Sequence, residues 1–507
     1  MKKEVKQIIS FCMIILMLCT SFDLTVFAKD AVSEEQSENM ERSMDFNEGW
    51  SFQLGDVSGA EKLDFDDGAW RRLTLPHDWS IEQDFTHSVS SEIGHLPGGT
   101  GWYRKAFTLP EDYKGKRVSI DFEGVYMDSY IYLNGQLIGN YPYGYLPFSF
   151  DLTDHLICDG KTNNILAVKV TNITNPGQHT GRWYAGSGIY RDVQLTVTEP
   201  VHVAQYGTVV TTPDIAGEYE NGSVTVKMKT DVRNQGTERA NTKVRYTILN
   251  YEDNSVFAQP VETASSQVEP GGKHNFESEM AVKDPQLWST DNPVLYIMRT
   301  EVMVDNQVVD CYDARFGFRW FNFDNNEGFS LNGRYMKLQG VCMHHDQGAL
   351  GSVANEAAIA RQMKIMKEMG TNAIRVSHNP AADALLKQCD EQGLLVIEEA
   401  FDTWNEGKTA NDYHRFFYEP CTHPEAGEGV PWAQYDLQQM IRRGINFPSI
   451  IMWSMGNEVY ESHKENAVDT VKKLVKWTKE IDTTRPTTMG EDKLRDNSAE
   501  NSVGRPY

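Results

Sequence analysis

The stretch with the clearest potential for chemistry is an apolar run that ends in an amide and a carboxylate. Residues 450–456 read Ile-Ile-Met-Trp-Ser-Met-Gly, and Asn457 and Glu458 follow directly. A short apolar run is typical of a strand buried on both faces of a parallel sheet. Parallel barrels carry their catalytic groups at the carboxyl ends of such strands. Glu458 is therefore the first candidate for an acid/base residue, against the alternative of a capping or solvated glutamate.

Polar side chains also follow four other predicted strands in the last third of the chain. In chain order they are His344, His345 and Asp346; Ser377, His378 and Asn379; Glu398, Glu399, Asp402 and Trp404; and Glu491 with Asp492. Each group alone is weak, since paired histidines and adjacent glutamates are more often structural or solvated. Five successive strands with polar residues at the same end are the pattern of a barrel active site.

Two carboxyl groups at such a site would suit glycoside hydrolysis, with Glu458 as one of them. The local candidates for the other are Asp402, Glu399 and Asp492. An indole such as that of Trp404 or Trp453 could stack on a sugar ring. The residues alone also allow a non-catalytic carbohydrate-binding protein.

A metal-dependent hydrolase is the alternative from a different class of enzyme. It would use His344, His345, Asp346 and His378, since barrel enzymes do bind metals with such groups. However, adjacent side chains on an extended segment point to opposite sides, which separates His344 from His345. Activity that survives prolonged chelation would remove this alternative.

The elements that would carry these groups alternate between strand and helix. Predicted strands cover 336–341, 372–376, 394–397, 450–456 and 486–489. Between them, Ile359, Met363 and Met366 fall at helical spacing, and Gly370 and Gly393 stand where helices end. This alternation implies right-handed crossovers and a parallel sheet. A barrel fits better than an open doubly wound sheet, because no glycine-rich phosphate loop follows the first strand.

The preceding part of the chain has the two-residue periodicity of β-strands. In residues 45–200, Val118, Ile120 and Phe122 alternate with polar residues, and Asn134-Gly135 supplies a tight hairpin turn. A β-sandwich is the simplest architecture for this block. Residues 201–315 repeat the pattern over about 110 residues, which suits an immunoglobulin-like sandwich.

Composition and the N-terminus limit the possible functions. The 507 residues carry a formal net charge of −24, which argues against a nucleic-acid partner because phosphate binding needs clustered lysine and arginine. Residues 1–28 have the charged start, apolar stretch and small-residue end of a signal peptide, and a flexible acidic leader is predicted for 29–44. The apolar stretch is short for a membrane span, so a secreted or cell-surface location is expected.

Several ordered motifs resemble glycoside hydrolase family 2, and within it the β-galactosidases. The motifs include residues 75–79 (Leu-Pro-His-Asp-Trp), 100–104 (Thr-Gly-Trp-Tyr-Arg), 182–191 (Arg-Trp-Tyr-Ala-Gly-Ser-Gly-Ile-Tyr-Arg), 316–319 (Phe-Gly-Phe-Arg), 372–380 (Asn-Ala-Ile-Arg-Val-Ser-His-Asn-Pro) and 457–458 (Asn-Glu). The family's architecture implies a multidomain fold. It consists of a jelly-roll β-sandwich (45–200), an immunoglobulin-like β-sandwich (201–315) and the N-terminal part of a TIM barrel (316–507).

The resemblance also implies roles for individual residues. Glu458 takes the place of the family's general acid/base, and Asn457 that of the asparagine at the sugar 2-hydroxyl. His344 belongs by similarity to the pocket that holds galactose, and His378 matches a histidine near the substrate. Residues 399–404 and 489–493 look like cell-surface members that act on terminal galactose of glycans. This similarity makes Asp402, Trp404 and Asp492 candidates for substrate contact.

The chain departs from the best-known β-galactosidases at their magnesium site. Those enzymes have Glu and His after strand three, whereas this chain has Asp402-Thr403-Trp404-Asn405. No metal and no cofactor is therefore expected.

The family's mechanism is retaining, and its nucleophile is a second glutamate at the end of strand seven. At about 30 residues per strand–helix unit, strand seven would start about 90 residues after strand four. We therefore expect the nucleophile to lie beyond Tyr507, the chain to be a fragment, and the isolated chain to be inactive. The implied function is cleavage of terminal β-D-galactosides from oligosaccharides or glycans. β-Glucuronidases, β-mannosidases and a non-catalytic carbohydrate-binding fragment are the alternatives.

Overall fold

The first block of the chain is an antiparallel β-sandwich. The computed structural model describes residues 42–462 and 464–491; the predicted signal peptide and Asp492 lie outside this part. The strands are β1 Ser43–Asp45, β2 Trp50–Leu54, β3 Arg71–Leu73, β4 Gly99–Phe107, β5 Arg117–Phe122, β6 Ser129–Leu133, β7 Gln136–Tyr141, β8 Phe148–Asp151, β9 Asn164–Asn172 and β10 Val193–Thr198. They form two sheets, β1-β10-β5-β8 and β3-β2-β4-β9-β6-β7. Ser43 pairs with Thr196, so the end of the predicted leader is a strand of the sandwich.

The sandwich closes because alternate residues of its strands point inward. Val118, Ile120 and Phe122 are buried while their neighbours on β5 are half-buried, as the periodicity predicts. Asn134 and Gly135 both have positive φ angles, 51° and 83°, in the turn between β6 and β7. These angles are the ones that a two-residue hairpin turn requires.

The second block is another antiparallel sandwich with its own core. Its strands are β11 Val201–Thr211, β12 Ser223–Asn234, β13 Ala240–Asn250, β14 Val256–Glu262, β15 Ser266–Val268, β16 Lys273–Lys283, β17 Tyr296–Val304 and β18 Gln307–Phe316, with the short helix α1 Ile215–Glu218. The sheets are β11-β12-β16 and β14-β13-β17-β18, and β15 pairs with β13. A small sheet of β19 Phe321–Asp324, β20 Gly328–Leu331 and β21 Arg334–Tyr335 follows.

The third block contains five parallel strands in sequential order, which confirms the predicted partial barrel. The strands are β22 Gly340–Met343, β23 Ala373–Val376, β24 Leu395–Glu399, β25 Ile450–Asn457 and β26 Thr487–Gly490. The helices are α2 Glu356–Glu368, α3 Asp383–Gln392, α4 Trp432–Gly444 and α5 Glu465–Lys479. The first strand begins at Gly340 and not at Met336, because the Met336 amide bonds to the Phe329 carbonyl of the small sheet instead.

The first sandwich packs directly against the barrel strands and their loops. Buried residues of the two blocks form one continuous apolar cluster. At the boundary, Tyr143 Oη donates to the Ala400 carbonyl at 2.6 Å, and Arg191 Nη1 donates to the Ala381 carbonyl at 3.0 Å. These contacts hold loops of the sandwich over the carboxyl ends of the strands. No helix in the described part of the chain is long and apolar enough to cross a membrane.

Candidate active site

Glu458 stands directly after β25 in a backbone conformation that is unusual for a side-chain-bearing residue. Its φ angle is +44°, in the left-handed region, which costs about 1–2 kcal/mol for a residue other than glycine. Its amide donates to the Gly490 carbonyl of the neighbouring strand at 2.7 Å. The side chain is 46% exposed. The carboxylate therefore faces open space at the end of the sheet, with its backbone fixed.

Asn457 connects the strand end to β23 and to the loop after β24. Its Nδ2 donates to Asp402 Oδ1 at 2.9 Å, and its Oδ1 accepts from Arg375 Nη2 at 3.0 Å. Its carbonyl accepts from Lys408 Nζ at 2.6 Å. The side chain is buried and both ends of its amide are used, so its rotamer and its O/N orientation are fixed.

Arg182 reaches the site from the first sandwich and joins two carboxylates. Its Nη1 lies 2.7 Å and 3.0 Å from the two Asp402 oxygens, and its Nη2 lies 3.3 Å from Glu458 Oε2. Burial by itself lowers the pKa of Arg182, but the charges of Asp402 and Glu458 outweigh it, so the pKa is raised. Asp402 is also bound by Lys408 Nζ at 2.9 Å.

Glu399 is fully buried and its oxygens are occupied by neighbouring donors. Arg375 forms a bidentate ion pair with it. Arg375 Nε lies 3.0 Å from Oε2, and Nη2 lies 2.8 Å from Oε2 and 3.0 Å from Oε1. Ser454 Oγ donates at 2.5 Å, and His378 Nδ1 lies 2.7 Å from Oε1. The carboxylate orients His378 and Arg375, which suits a supporting role better than that of a second reacting carboxyl group.

An aromatic group forms another side of the site. The Trp183 ring lies 5.0 Å from that of His344 and 5.7 Å from that of His378, and the two imidazoles are 5.4 Å apart. Burial, followed by the nearby His378, lowers the pKa of His344 and favours its neutral form. Trp183 is half-buried, so part of its indole is accessible to a sugar.

The paired histidines point in different directions, as the extended segment predicts. His345 turns away from His344 and lies 3.2 Å through Nε2 from the Ala185 carbonyl, and desolvation lowers its pKa to about 3. Among the described residues, no three His, Cys, Asp or Glu side chains are placed to hold a metal ion. The alternative of a metal-dependent hydrolase therefore has no geometric support in this part of the chain.

The predicted contact of Trp404 with substrate has no support in this arrangement and stays a prediction. Its side chain has no exposed surface, and its indole N–H donates to the Met455 carbonyl at 2.8 Å. A Cβ atom on Gly456 would come 2.8 Å from that nitrogen, so the strand end packs flat on the indole. Trp453 is buried as well and donates to Asp482. Both indoles support β25 from inside the fold.

The structure brings together His344, His378, Asp402, Asn457 and Glu458. It adds three residues that had no predicted role, Arg182, Trp183 and Lys408. Arg182 and Trp183 open a motif that was recognised only as part of a resemblance, and that motif was the available signal. Lys408 lies in the loop after β24, its side chain 3% exposed, where no local pattern distinguishes it from a surface lysine.

The chain matches three domain descriptions of one family in order. "Glycosyl hydrolases family 2, sugar binding domain" matches residues 73–200, "Glycosyl hydrolases family 2" matches 201–319, and "Glycosyl hydrolases family 2, TIM barrel domain" matches 324–503.

Similar proteins come from several bacteria. The chain is 42% identical over 484 residues to "Beta-galactosidase BoGH2A" of Bacteroides ovatus, covering 89% of this chain and 54% of that protein. It is 34% identical to a "Putative beta-glucuronidase" of Formosa agariphila, covering 88% and 39%. A crystal structure of a glycosyl hydrolase family 2 member from Bacteroides cellulosilyticus superimposes with a TM-score of 0.81 at 37% identity, covering 90% and 57%. The chain thus spans about half the length of these relatives, and it belongs to glycoside hydrolase family 2.

Proposed function

We propose that this protein is a retaining glycoside hydrolase that releases terminal β-D-galactosyl residues from oligosaccharides or glycans, with Glu458 as general acid/base. The observation that carries the proposal is the environment of Glu458. Its carboxylate is accessible, its backbone is fixed at the end of β25, and Arg182 and Asn457 lie beside it. A carboxyl group positioned at a strand end of a barrel is what protonation of a glycosidic oxygen requires.

Each residue around Glu458 has a part in this mechanism. Glu458 donates its proton to the departing glycosidic oxygen and later takes one from the attacking water. Asn457 donates one amide N–H to Asp402, and its second N–H is assigned to the sugar 2-hydroxyl. His344, His378 and Trp183 form the wall against which the ring is held. The second carboxylate is assigned to neither Asp402 nor Glu399, because the oxygens of both are occupied by arginine, lysine or serine donors.

A neutral sugar fits the charges of the site better than a uronic acid does. A glucuronide carboxylate is typically bound by arginine or lysine through charge-assisted hydrogen bonds. In the described part of the site, Arg182 and Lys408 are paired with Asp402, and Arg375 is paired with Glu399. The identity to a β-galactosidase points the same way, whereas the relative named as a putative β-glucuronidase keeps the glucuronide as the second candidate.

A panel of nitrophenyl glycosides decides between the candidates. The protein, expressed from its complete reading frame, is assayed with the β-D-galactoside, β-D-glucuronide and β-D-mannoside. We expect kcat/KM to be highest for the galactoside. A higher kcat/KM for the glucuronide would contradict the proposed galactoside substrate but would leave the proposed mechanism unchanged. Binding of galactose with no turnover of any of the three would contradict the enzymatic function and favour a carbohydrate-binding protein.

We also propose that the protein is secreted or displayed at the cell surface. The proposal rests on residues 1–28, whose charged start, apolar stretch and Val26-Phe27-Ala28 end are typical of a cleaved signal. N-terminal sequencing of the protein recovered from a bacterial expression host tests it. A mature N-terminus close to Lys29 is expected, and an intact Met1 start on intracellular protein would contradict the proposal.

A further inference from the structure

Asp78 is a buried carboxylate of the first sandwich that the proposed mechanism does not use. It lies in the Leu-Pro-His-Asp-Trp motif, and 2% of its surface is exposed. Oδ1 accepts from the amides of Ser80 and Ser187, both at 2.9 Å. Oδ2 accepts from Tyr184 Oη at 2.6 Å and from Ser352 N and Oγ at 3.0 Å and 3.1 Å. Within the described residues no ion pair involves Asp78, so neutral donors stabilise the charge.

These five donors come from three separate segments of the chain. Ser80 belongs to the turn that carries Asp78. Tyr184 and Ser187 belong to the segment that begins with Arg182 and Trp183. Ser352 belongs to the loop that connects β22, and therefore His344, to α2. A single carboxylate thus joins the segment that supplies Arg182 and Trp183 to the segment that supplies His344.

Two glycines permit the close approach to this carboxylate. Gly186 has a φ angle of +74°, and a Cβ atom there would overlap Ser352 Oγ and lie 2.6 Å from Asp78 Oδ2. Gly351 has a φ angle of +63°, and a Cβ atom there would overlap the same carboxylate oxygen. The backbone at both positions requires glycine for its angle as well as for space.

We infer that Asp78 is a positioning residue of the active site, which acts on substrate through Arg182 and Trp183 without touching it. Asp78 binds Tyr184, which directly follows Arg182 and Trp183. Arg182 contacts Asp402 and Glu458. Trp183 contacts His344 and His378. The Ala185 carbonyl, one residue further, receives the contact from His345 Nε2. If the carboxylate is removed, both segments lose their common anchor. A shift of about 1 Å in such a group can reduce the rate of catalysis about 100-fold.

The test is a double-mutant cycle between Asp78 and Arg182 in the complete protein. This kinetic test rests on the proposed glycosidase activity. Asp78→Asn keeps the shape of the side chain but replaces one accepting oxygen by an N–H₂ group, which faces the donors that bind Asp78. We expect it to lower kcat/KM on the nitrophenyl β-galactoside about 10- to 100-fold in the native background. In an Arg182→Ala background, the same change should cause a smaller loss, because one of the two groups that Asp78 positions is absent. Equal losses in both backgrounds would overturn the inference.

The control is Asp310→Asn, which removes a carboxylate that is 3% exposed in the second sandwich, where it accepts from the Val203 amide at 2.8 Å. Its effect on thermal unfolding should resemble that of Asp78→Asn, whereas kcat/KM should stay near the native value.

Tyr184→Phe removes one of the donors to Asp78 and is the milder variant if Asp78→Asn folds poorly. It should give a smaller loss in the same direction, and an unchanged kcat/KM would count against the inference.

Amide hydrogen exchange gives a readout that does not depend on turnover. Asp78→Asn should raise exchange in residues 181–187 and 348–354, while Asp310→Asn should not. If the native protein hydrolyses no glycoside, the proposed function fails, but the exchange pattern still decides the anchoring role. Unchanged protection in both segments would overturn the inference even in an active enzyme.

Discussion

Arg182 Nη1 lies 2.7 Å from Asp402 Oδ1, although 220 positions separate the two residues and they belong to different domains. The same guanidinium also reaches Glu458. The first sandwich is therefore part of the candidate active site and not only a neighbour of the barrel. It contributes a guanidinium that lies between Asp402 and Glu458 and places a positive charge beside the proposed acid.

Replacement of Glu458 by glutamine should remove the proton donor and leave the fold intact. General acid catalysis contributes about 10²- to 10⁴-fold, and it matters most when the leaving group is poor. We expect the loss in kcat/KM to be large for phenyl β-galactoside and small for the dinitrophenyl substrate. Glu406→Gln is the control, since that carboxylate is 35% exposed and pairs with Lys464. Equal losses for both substrates would argue against the acid role.

Replacement of Arg182 by alanine should affect catalysis more than stability. The variant leaves Asp402 with Lys408 and Asn457 and removes the guanidinium beside Glu458, so we expect kcat/KM to fall about 100-fold. Arg245→Ala is a matched control, because that side chain is 23% exposed and pairs with Glu262 at 3.0 Å in the second sandwich. The two variants should have similar melting temperatures. A comparable kinetic loss in the control would show that the effect is not local.

Replacement of Trp404 by phenylalanine distinguishes a supporting indole from a sugar-stacking one. The change leaves the Met455 carbonyl without its donor and opens space below Gly456. An unsatisfied buried acceptor costs about 1–3 kcal/mol, so thermal stability should fall measurably. KM for the galactoside should change little, since the indole has no exposed surface. A large rise in KM with unchanged stability would restore the substrate-contact prediction.

Asp436 makes stability depend on pH in a direction opposite to that of a salt-bridged carboxylate. Burial raises its pKa from 3.8 to about 7, although Tyr141 Oη at 2.5 Å and Tyr413 Oη donate to it. The folded state therefore keeps a proton that the unfolded chain releases, and the free energy of unfolding falls as pH rises between about 4 and 7. The shift corresponds to at most about 4 kcal/mol.

The measurement compares the native protein with Asp436→Asn in urea at pH 5 and pH 8. Asparagine can still accept from one tyrosine and donate to the other, so the contacts are kept without the titration. We expect the native protein to lose more stability than the variant between these pH values. A difference between the two proteins that stays constant over this range would contradict the raised pKa.

Much of the fold could be predicted from the sequence because local rules coincide with the final structure. The alternation of Val118, Ile120 and Phe122 follows from one buried sheet face, and the Asn134-Gly135 turn follows from positive φ angles. The predicted strand begins at Met336, four residues before β22, because Met336 continues an apolar pattern while its amide pairs with the small sheet. Periodicity reports burial but not which partner supplies the hydrogen bond.

The predicted site was less complete, because its members come from segments that only the fold brings together. Glu458 and Asn457 could be found at the end of one apolar strand, where position along the chain and position in space agree. Arg182, Trp183 and Lys408 could not be assigned a role, since nothing local shows which carboxylate a cation will meet. The orientation of Trp404 could not be predicted for the same reason: an indole next to a strand end can face the substrate or the strand.

The three blocks, the order of strands and helices, and the carboxylate at the end of β25 could all be predicted from the sequence. These features depend on periodicities of two and about 3.6 residues and on short motifs, which are properties of neighbouring residues. The contact of Arg182 with both Asp402 and Glu458 arises only on folding, as does the link that Asp78 makes between the Arg182 segment and the loop after β22. Such contacts form between residues far apart in the chain, and their geometry is set by how the sandwich packs on the barrel.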